Sequence, residues 1–431
     1  MTIDNDVVDA LAAELLGPHI KSAPPAAWGH TVREYLTGAP RLTHWQTPLL
    51  TLDRAALDDN RALMADWSSA GGVALAPHGK TTMAPQLWRE QLRAGAWGIT
   101  LATAWQAQLA RSFGVGRILL ANALVDPIGL AWVAEESARD ENFEFYCWAD
   151  SVATVELMDK ILRDTAPGPP VRVLVELGGA HGRTGARTRA EALAVAHALV
   201  GSERLVLAGV GGYEGALAHD RTPAALTAVR GYLRELASLH IELGELYSGP
   251  AVVSAGGSAY PELVVEELAG LGSDQLPTVP GSTTVVLRSG AYLVHDDGFY
   301  AGISPLSAPA ADPGLRSAMH GWARVVSRPE PELALLDGGK RDFPFDEGLP
   351  TPQLVVGGAA LPSGAHVSAL NDQHTFLRLP GATFADLPVG SVVRLGLSHP
   401  CTAFDKWRLI PVIDTAETAH PRVVDLIRTY F

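Results

Sequence analysis

The stretch VALAPHGKTTMAP (73–85) is an apolar run that breaks into the polar turn His78-Gly79-Lys80. Similar apolar runs follow it, and alanine-rich segments with helical spacing, such as RAEALAVAHALV (189–200), separate most of them. The runs are GAWGITLAT (95–103), RILLANAL (117–124), FEFYCWAD (143–150), VRVLVEL (171–177), LVLAGVGGYEG (205–215) and AVVSAGG (251–257). Strands that alternate with helices predict a parallel sheet, and this many units predict an α/β fold with a closed (β/α)₈ barrel of the TIM type.

The alternation covers only part of the chain, which at 431 residues is too long for one ordinary core. Residues 1–45 read as a helical extension that packs on the rest, and LLTLD (49–53) as a strand that opens the barrel region 46–282. From TTVVLRSGAY (283–292) onward the segments are strand and turn, rich in Pro and Gly. We therefore predict a second, β-rich domain over residues 283–431.

Composition limits the function. The net charge is −14, and no Lys/Arg cluster of the kind that binds nucleic acid occurs. No apolar run is long enough to span a bilayer, and the acidic start MTIDNDVVDALAAELL lacks the features of a secretory signal. The sequence thus predicts a cytoplasmic protein whose partner is a small molecule rather than a nucleic acid or a membrane. Cys147, within a strand-like run, is expected to be a core residue.

Lys80 is the first candidate for chemistry. It follows an early barrel strand, and the catalytic groups of such barrels lie at the carboxyl ends of the strands. A partly desolvated lysine can act as a base or form an imine with an aldehyde. The competing interpretation is an ordinary surface lysine, but the chain offers few others: Lys21, Lys160, Lys340 and Lys406.

Several further motifs accompany this lysine in a fixed order along nearly the whole chain. They are ELGGAHGRTG (176–185), GVGGYEG (209–215), SAGGSAYPE (254–262), VLRSGAYLVHDDG (286–298), NDQH (371–374) and RLGLSHPCTAFDKW (394–407). Together with APHGKTTMAP (76–85) they resemble the D-serine dehydratase and D-threonine aldolase group of alanine-racemase-type barrel enzymes. One departure is Ala76, which stands where the lysine motif of that group usually has arginine.

The resemblance implies pyridoxal 5′-phosphate as the cofactor, with Lys80 as its catalytic Schiff-base lysine and His78 as a neighbouring contact. A Gly-rich turn also suits a phosphate, because its successive N–H groups form an anion-binding concavity. Further cofactor contacts are then expected from the phosphate turn, the Arg-Thr-Gly motif and two tyrosines: Gly256, Gly257, Ser258, Arg183, Thr184, Tyr213 and Tyr292. A plain loop, a surface arginine and core tyrosines are the alternative interpretations of these residues.

His399 and Cys401 are separated by one residue, and alternate residues of an extended strand point to one face. Imidazole and thiolate together suit Zn²⁺, and two protein ligands leave positions open for water and substrate. A core cysteine beside an unrelated histidine is the alternative. By resemblance, His-x-Cys is typical of D-serine dehydratases, whereas D-threonine aldolases carry His-x-Asp.

These observations predict a lyase, dependent on pyridoxal phosphate and zinc, that dehydrates and deaminates a D-configured β-hydroxy amino acid. D-serine would give pyruvate and ammonia, and D-threonine would give 2-oxobutyrate. The alternatives are retro-aldol cleavage to glycine and an aldehyde, racemisation, or a non-enzymatic protein that binds pyridoxal phosphate. By resemblance alone we expect a homodimer.

Overall fold

A computed structural model describes residues 2–165, 168–179, 182–272, 281–358, 360–418 and 420–431. Its strands are β1 Leu49–Asp53, β2 Ala74–Leu75, β3 Ile99–Leu101, β4 Arg117–Ala123, β5 Glu144–Ala149, β6 Val171–Leu177, β7 Leu205–Gly212, β8 Ala251–Ala255, β9 Thr283–Leu287, β10 Met319–Glu330, β11 Leu333–Leu336, β12 Thr351–Val355, β13 His366–Leu370, β14 Thr375–Arg378, β15 Val392–Gly396, β16 Leu409–Ile413 and β17 Val423–Arg428. They form two sheets.

The α-helices are α1 Asn5–Asp9, α2 Val32–Thr37, α3 Arg54–Ala70, α4 Pro85–Arg93, α5 Ala104–Ser112, α6 Pro127–Arg139, α7 Val152–Thr165, α8 Arg189–Val200, α9 Pro223–Glu242, α10 Pro261–Leu268, α11 Phe299–Ile303 and α12 Pro400–Phe404. Most of those between β2 and β9 begin at a capped residue, because Ser, Thr or Asp side chains satisfy the free N–H groups of a first turn. Thr188, for example, forms a capping box with Glu191 at the start of α8. Among the described residues, no helix has the length and apolar character needed to cross a bilayer.

The first sheet is a parallel barrel of eight strands in the order β2-β9-β8-β7-β6-β5-β4-β3. Its two end strands meet, since the amide of Trp97 donates to the carbonyl of Leu75 at 2.7 Å and that of Thr100 to Pro77 at 2.9 Å. A separate apolar cluster, which includes Ala76 and Trp148, fills the interior. The predicted barrel with a C-terminal β-rich domain is confirmed.

The second sheet contains nine strands, most of them antiparallel pairs from the C-terminal third of the chain. Two strands lie on the other side of the predicted domain boundaries. β1 pairs with β10 and β16 in this second sheet, although we predicted it in the barrel. β9, predicted in the β-rich domain, pairs with β8 and β2 and completes the barrel. β1 joins the second sheet because its partners lie far along the chain, whereas β9 joins the barrel because it continues the parallel pairing of the preceding strand, β8.

The N-terminal segment contacts both the barrel region and the C-terminal part of the chain. The amide of Asp4 donates to the carbonyl of Phe113 at the end of α5, at 2.8 Å, and the amide of Leu42 donates to Pro421 before β17, at 2.9 Å. Within residues 2–45 the helical content is limited to α1, α2 and short 3₁₀ turns. The division into a 1–45 extension and two further domains remains a prediction.

Candidate active site

Lys80 lies in a 3₁₀ turn, Gly79–Thr81, shortly after the first barrel strand β2. The turn is tightly packed, because a Cβ atom on Gly79 would lie 2.7 Å from Cγ2 of Ile99. Trp88 donates from its indole nitrogen to the carbonyl of Gly79 at 3.2 Å, and Thr100 donates to that of Ala76 at 2.7 Å. The backbone on both sides of His78 is therefore held by barrel side chains, and Lys80 extends from a rigid base.

Charged groups surround the Lys80 amine. Burial lowers the pKa of Lys80; Cys401 opposes this shift, whereas Arg183 and Arg288 favour it. A lowered pKa increases the fraction of neutral amine, which is the form that acts as a base or nucleophile. The structure thus brings three predicted site residues, Lys80, Arg183 and Cys401, within electrostatic reach of one another.

His78 faces the loop after the last barrel strand. Burial lowers the pKa of His78 well below its ordinary value, so its ring is neutral. Its Nδ1 atom is buried and has no hydrogen-bond partner among the described residues. A Cβ atom on Gly290 would lie 2.6 Å from the carbonyl oxygen of His78, so only glycine allows this close approach.

The glycine turn follows β8 as predicted, but its amides are not free. Gly256 has a φ of +97°, and the amides of Gly256 and Gly257 donate to the carboxylate of Glu214 at 2.9 and 2.7 Å. A Cβ atom on Gly257 would lie 2.9 Å from Cε2 of Tyr213. Ser258 accepts a hydrogen bond from the amide of Ala291 at 3.2 Å. The predicted phosphate contact by the Gly256 and Gly257 amides is therefore not available in this arrangement.

The Arg-Thr-Gly motif lies at the mouth of the barrel. The guanidinium carbon of Arg183 is 4.7 Å from the centre of the Tyr213 ring, a cation–π contact. Thr184 donates to Oε1 of Glu176 at 2.6 Å. Two residues of this motif segment, Ala180 and His181, lie outside the described residues. Arg183 and Tyr213 are thus brought together beside Lys80, while Thr184 is engaged by a neighbouring carboxylate.

Tyr292 lies elsewhere. Its ring is fully buried, and its hydroxyl accepts a hydrogen bond from the side chain of Gln91 in α4 at 3.1 Å. The groups that influence its pKa, which burial raises, are Gln91 and Arg61 rather than those around Lys80. The structure does not bring Tyr292 into the group around Lys80.

Sequence reasoning missed three buried residues at the same end of the barrel. Arg288, after β9, donates to Oγ of Ser254 at 2.7 Å and to the carbonyl of Gly212 at 2.6 Å. Its guanidinium carbon lies 4.9 Å from the centre of the Trp148 ring. The indole nitrogen of Trp148 and Oε2 of Glu176 are buried without partners among the described residues. The only available signal was their position at or near strand ends, within segments otherwise read as barrel strands or motifs.

These unpartnered atoms test whether the implied cofactor fits. Buried polar atoms are nearly always hydrogen-bonded in folded proteins, so unpartnered ones at one mouth can take hydrogen bonds from a bound polar group. Nδ1 of His78, Nε1 of Trp148 and Oε2 of Glu176 all belong to strand ends of the barrel. Together with the Lys80 amine and the crowded glycine turn, they fit a flat, polar aldehyde cofactor such as pyridoxal phosphate.

His399 and Cys401 do not lie on an extended strand, contrary to our prediction. Pro400 occupies the first position of α12, which begins after a short connection from β15, and His399 is the residue before it, with a φ of +55°. The two side chains still contact each other, and hydrogen bonds to Cys401 and Asp346, opposed by burial, raise the pKa of His399 to about 9. Burial would raise the pKa of Cys401, but hydrogen bonds with His399 and Thr81 outweigh it and lower the pKa.

The side chains of His399 and Cys401 could supply two of the ligands of a metal ion. Among the described residues, no group of three or more His, Cys, Asp or Glu side chains is arranged to hold an ion. Imidazole and thiolate are nevertheless preferred zinc donors, and a pair leaves coordination positions open, as catalytic zinc requires. His399 and Cys401 therefore fit a zinc ion that binds with the help of water or substrate.

The sequence and the fold are both similar to those of known proteins. Residues 318–413 match the family model "Putative serine dehydratase domain". The chain is 28% identical to a D-threonine aldolase of Arthrobacter sp. over 84% of this chain and 88% of that protein. It is 26% identical to a D-threo-3-hydroxyaspartate dehydratase of Delftia sp. strain HT23 over 82% and 90%. The crystal structure of D-threonine aldolase from Filomicrobium marinum superposes with a TM-score of 0.74 at 21% identity, covering 91% of this chain and 97% of that one.

Proposed function

We propose a function from one premise: the chain belongs to the D-serine dehydratase and D-threonine aldolase family of alanine-racemase-type barrel enzymes. The proposed function is that of a lyase, dependent on pyridoxal phosphate, that acts on D-configured β-hydroxy amino acids. The specific reaction is elimination of water followed by deamination, as in the conversion of D-serine to pyruvate and ammonia. Zinc on His399 and Cys401 is part of the proposal, as are a cytoplasmic location and a homodimer.

One observation carries this proposal. The thiol of Cys401 lies 3.5 Å from the hydroxyl of Thr81, the residue next to Lys80. Helix α12, from the C-terminal domain, packs against the turn that carries the lysine. A base for the Cα proton and a donor pair for a Lewis acid therefore face the same space, as elimination of a β-hydroxyl requires.

Each residue of the proposed cofactor site has a role that follows from its position. Bound pyridoxal phosphate would supply an aldehyde for the amino group and an electron sink for the Cα carbanion. Lys80, with its lowered pKa, would hold the cofactor covalently at rest and remove the Cα proton once freed. Arg183, stacked on Tyr213 at the mouth, would orient the cofactor ring. His78, neutral and unpartnered at Nδ1, can accept or donate one hydrogen bond there.

The metal pair would act on the bond between Cβ and the hydroxyl oxygen of the substrate. An ion on His399 and Cys401 would supply Lewis-acid stabilisation for the departing β-hydroxyl, since hydroxide is a poor leaving group. In balance, the substrate loses its Cα proton and its β-hydroxyl as water. The resulting enamine, once released, hydrolyses to keto acid and ammonia.

Retro-aldol cleavage is the second candidate. The 28% identity to a D-threonine aldolase over most of both chains favours it. Cys401, in place of the aspartate that aldolases carry by resemblance, favours elimination instead. The same lysine would serve either reaction, but the aldolase needs a proton removed from the β-hydroxyl rather than from Cα.

A product assay separates the two. The protein, supplied with pyridoxal phosphate and zinc, is incubated with D-serine and D-threonine, and keto acid, ammonia, glycine and aldehyde are measured in parallel. Keto acid with ammonia supports the dehydratase, glycine with aldehyde the aldolase, and neither product rejects both. Borohydride reduction followed by peptide mass spectrometry should locate the cofactor on Lys80. Lys80→Ala should abolish the adduct, whereas Lys160→Ala, on helix α7, should retain it.

A further inference from the structure

Glu214 is a fully buried carboxylate beside the proposed cofactor site. It directly follows Tyr213 at the end of β7, and its two oxygens accept hydrogen bonds from the amides of Gly256 and Gly257 at 2.9 and 2.7 Å. Each carboxylate oxygen thus takes one amide of the glycine turn. Such charge-assisted hydrogen bonds are stronger than neutral ones, particularly away from water.

The remaining contacts fix the rest of the turn. The carbonyl of Gly257 accepts from the Ser289 hydroxyl at 2.5 Å, and the carbonyl of Ala259 accepts from Arg221 at 3.2 Å. Among the described residues, the amides of Ser258 and Ala259 donate to no acceptor. The turn is therefore held from three directions and presents its next two amides unpaired.

The charge of Glu214 is balanced locally. Arg288 is buried beside it, and attraction to Glu214 counteracts the effect of burial, which lowers the pKa of this arginine. Arg288 is in turn held by the carbonyl of Gly212 and the hydroxyl of Ser254. The Arg288 guanidinium therefore offsets the negative charge of the carboxylate next to a site for another anion.

We propose that Glu214 is a positioning residue that holds the Gly256-Gly257 turn, so that the cofactor phosphate binds the amides of Ser258 and Ala259. The inference rests on the proposed function, because it takes pyridoxal phosphate as the cofactor. It replaces the two glycine amides of our sequence-based prediction with the next two along the chain. The two glycines are then required for the conformation of the turn. Gly256 has a φ of +97°, which favours glycine, and Gly257 leaves room for the Tyr213 ring.

The test compares pyridoxal phosphate with pyridoxal, which has the same aldehyde but no phosphate. Dissociation constants for both are measured from the absorbance of the lysine adduct in wild type, Glu214→Gln and Glu266→Gln. The glutamine places an N–H₂ group against one of the two amides, so pyridoxal phosphate should bind about 10-fold more weakly or worse. Pyridoxal affinity should change by less than about 2-fold, as should both affinities in Glu266→Gln, an exposed charge on α10.

Three results would overturn the proposal. Unchanged affinity for pyridoxal phosphate would mean that the contact of Glu214 with the glycine turn is not needed for phosphate binding. Equal weakening of the binding of both aldehydes would mean that Glu214 has a general structural role. Tighter binding of pyridoxal phosphate would mean that Glu214 occupies the phosphate position and competes. If Glu214→Gln does not fold, Glu214→Asp provides the same contrast with the charge kept. Absence of any lysine adduct in wild type would instead reject the proposed function itself.

Discussion

Nδ1 of His399 lies 2.5 Å from Oδ2 of Asp346. The other oxygen of Asp346 accepts a hydrogen bond from Thr402 at 2.7 Å, so the carboxylate spans the first turn of α12. This contact occupies Nδ1, so an ion would bind at Nε2, where it would replace the hydrogen bond of the ring with Cys401. Proteins commonly orient a metal-binding histidine by such a carboxylate on its other nitrogen.

Asp346→Asn should therefore weaken zinc binding by about 10- to 100-fold, because the imidazole loses its charged orienting partner. Competition with a chromogenic chelator measures the zinc dissociation constant directly. Asp405→Asn is the matched control, since Asp405 also borders α12 but pairs with Lys406 at 3.5 Å. Equal zinc affinity in wild type and Asp346→Asn would show that Asp346 does not support an ion at His399.

Cys401→Ala should remove the metal and leave the cofactor bound. The thiol is one of the two ligands that we propose, whereas the lysine, arginine and glycine-turn contacts of the cofactor lie on the barrel. Loss of Lewis-acid assistance should lower keto-acid formation by about 100-fold or more. Metal content and the absorbance of the lysine adduct are measured on the same sample. Full activity of the metal-free wild-type protein would contradict the zinc step.

The barrel could be predicted because its signals are local. Strand and helix periodicity, the capped helices and the break from VALAP (73–77) into His78-Gly79-Lys80 are all visible within short windows. The position of Lys80 at a strand end follows from the same pattern. The position of the lysine and the overall architecture therefore required no knowledge of distant contacts.

Other features depend on contacts between distant segments and left no local signal. The run LLTLD of β1 looks like a barrel strand, but β10 and β16 pair with it more than 250 residues later in the chain. Glu214 lies within the motif GVGGYEG, but the role that we propose for it depends on the amide of Gly256, 42 residues later, which donates to its carboxylate. His399 and Cys401 were predicted on one extended strand, whereas Pro400 between them occupies the first position of a helix, where proline is favoured.

Arg187→Ala should lower turnover without unfolding the protein. The guanidinium of Arg187 donates to the carbonyls of Gly179, Gly182 and Thr184, each at 3.0 Å, and also to that of Arg183. It therefore shapes the loop from which Arg183 reaches Tyr213, and a displaced catalytic group commonly costs about 10-fold or more in rate.

Steady-state kinetics and a thermal melt test this prediction together. Arg189→Ala is the control, because Arg189 is also exposed but pairs with Glu242 on the neighbouring helix. Retained turnover in Arg187→Ala would contradict the role of the loop. A melting temperature lowered alongside turnover would indicate a general loss of stability instead.

His240 should make the protein less stable in acid. It is fully buried between α9 and the barrel, with Nδ1 3.0 Å from the Tyr247 hydroxyl and Nε2 3.0 Å from that of Thr283. Burial lowers the pKa of His240 to about 4, whereas a histidine in an unfolded chain titrates near 6.5. Below about 6.5 the unfolded chain therefore takes up a proton that the folded one does not. The associated stability is complete above that pH and is lost as the pH falls toward about 4.

Urea unfolding at several pH values between 7.5 and 4.5 measures this linkage. His240→Gln removes the titrating ring, and should flatten the pH dependence of the unfolding free energy by up to about 1.4 kcal/mol per pH unit. The exposed His366 provides the control, because His366→Gln should leave the slope of wild type unchanged. An identical slope in wild type and His240→Gln would mean that the buried ring takes up its proton without unfolding the protein, contrary to the lowered pKa.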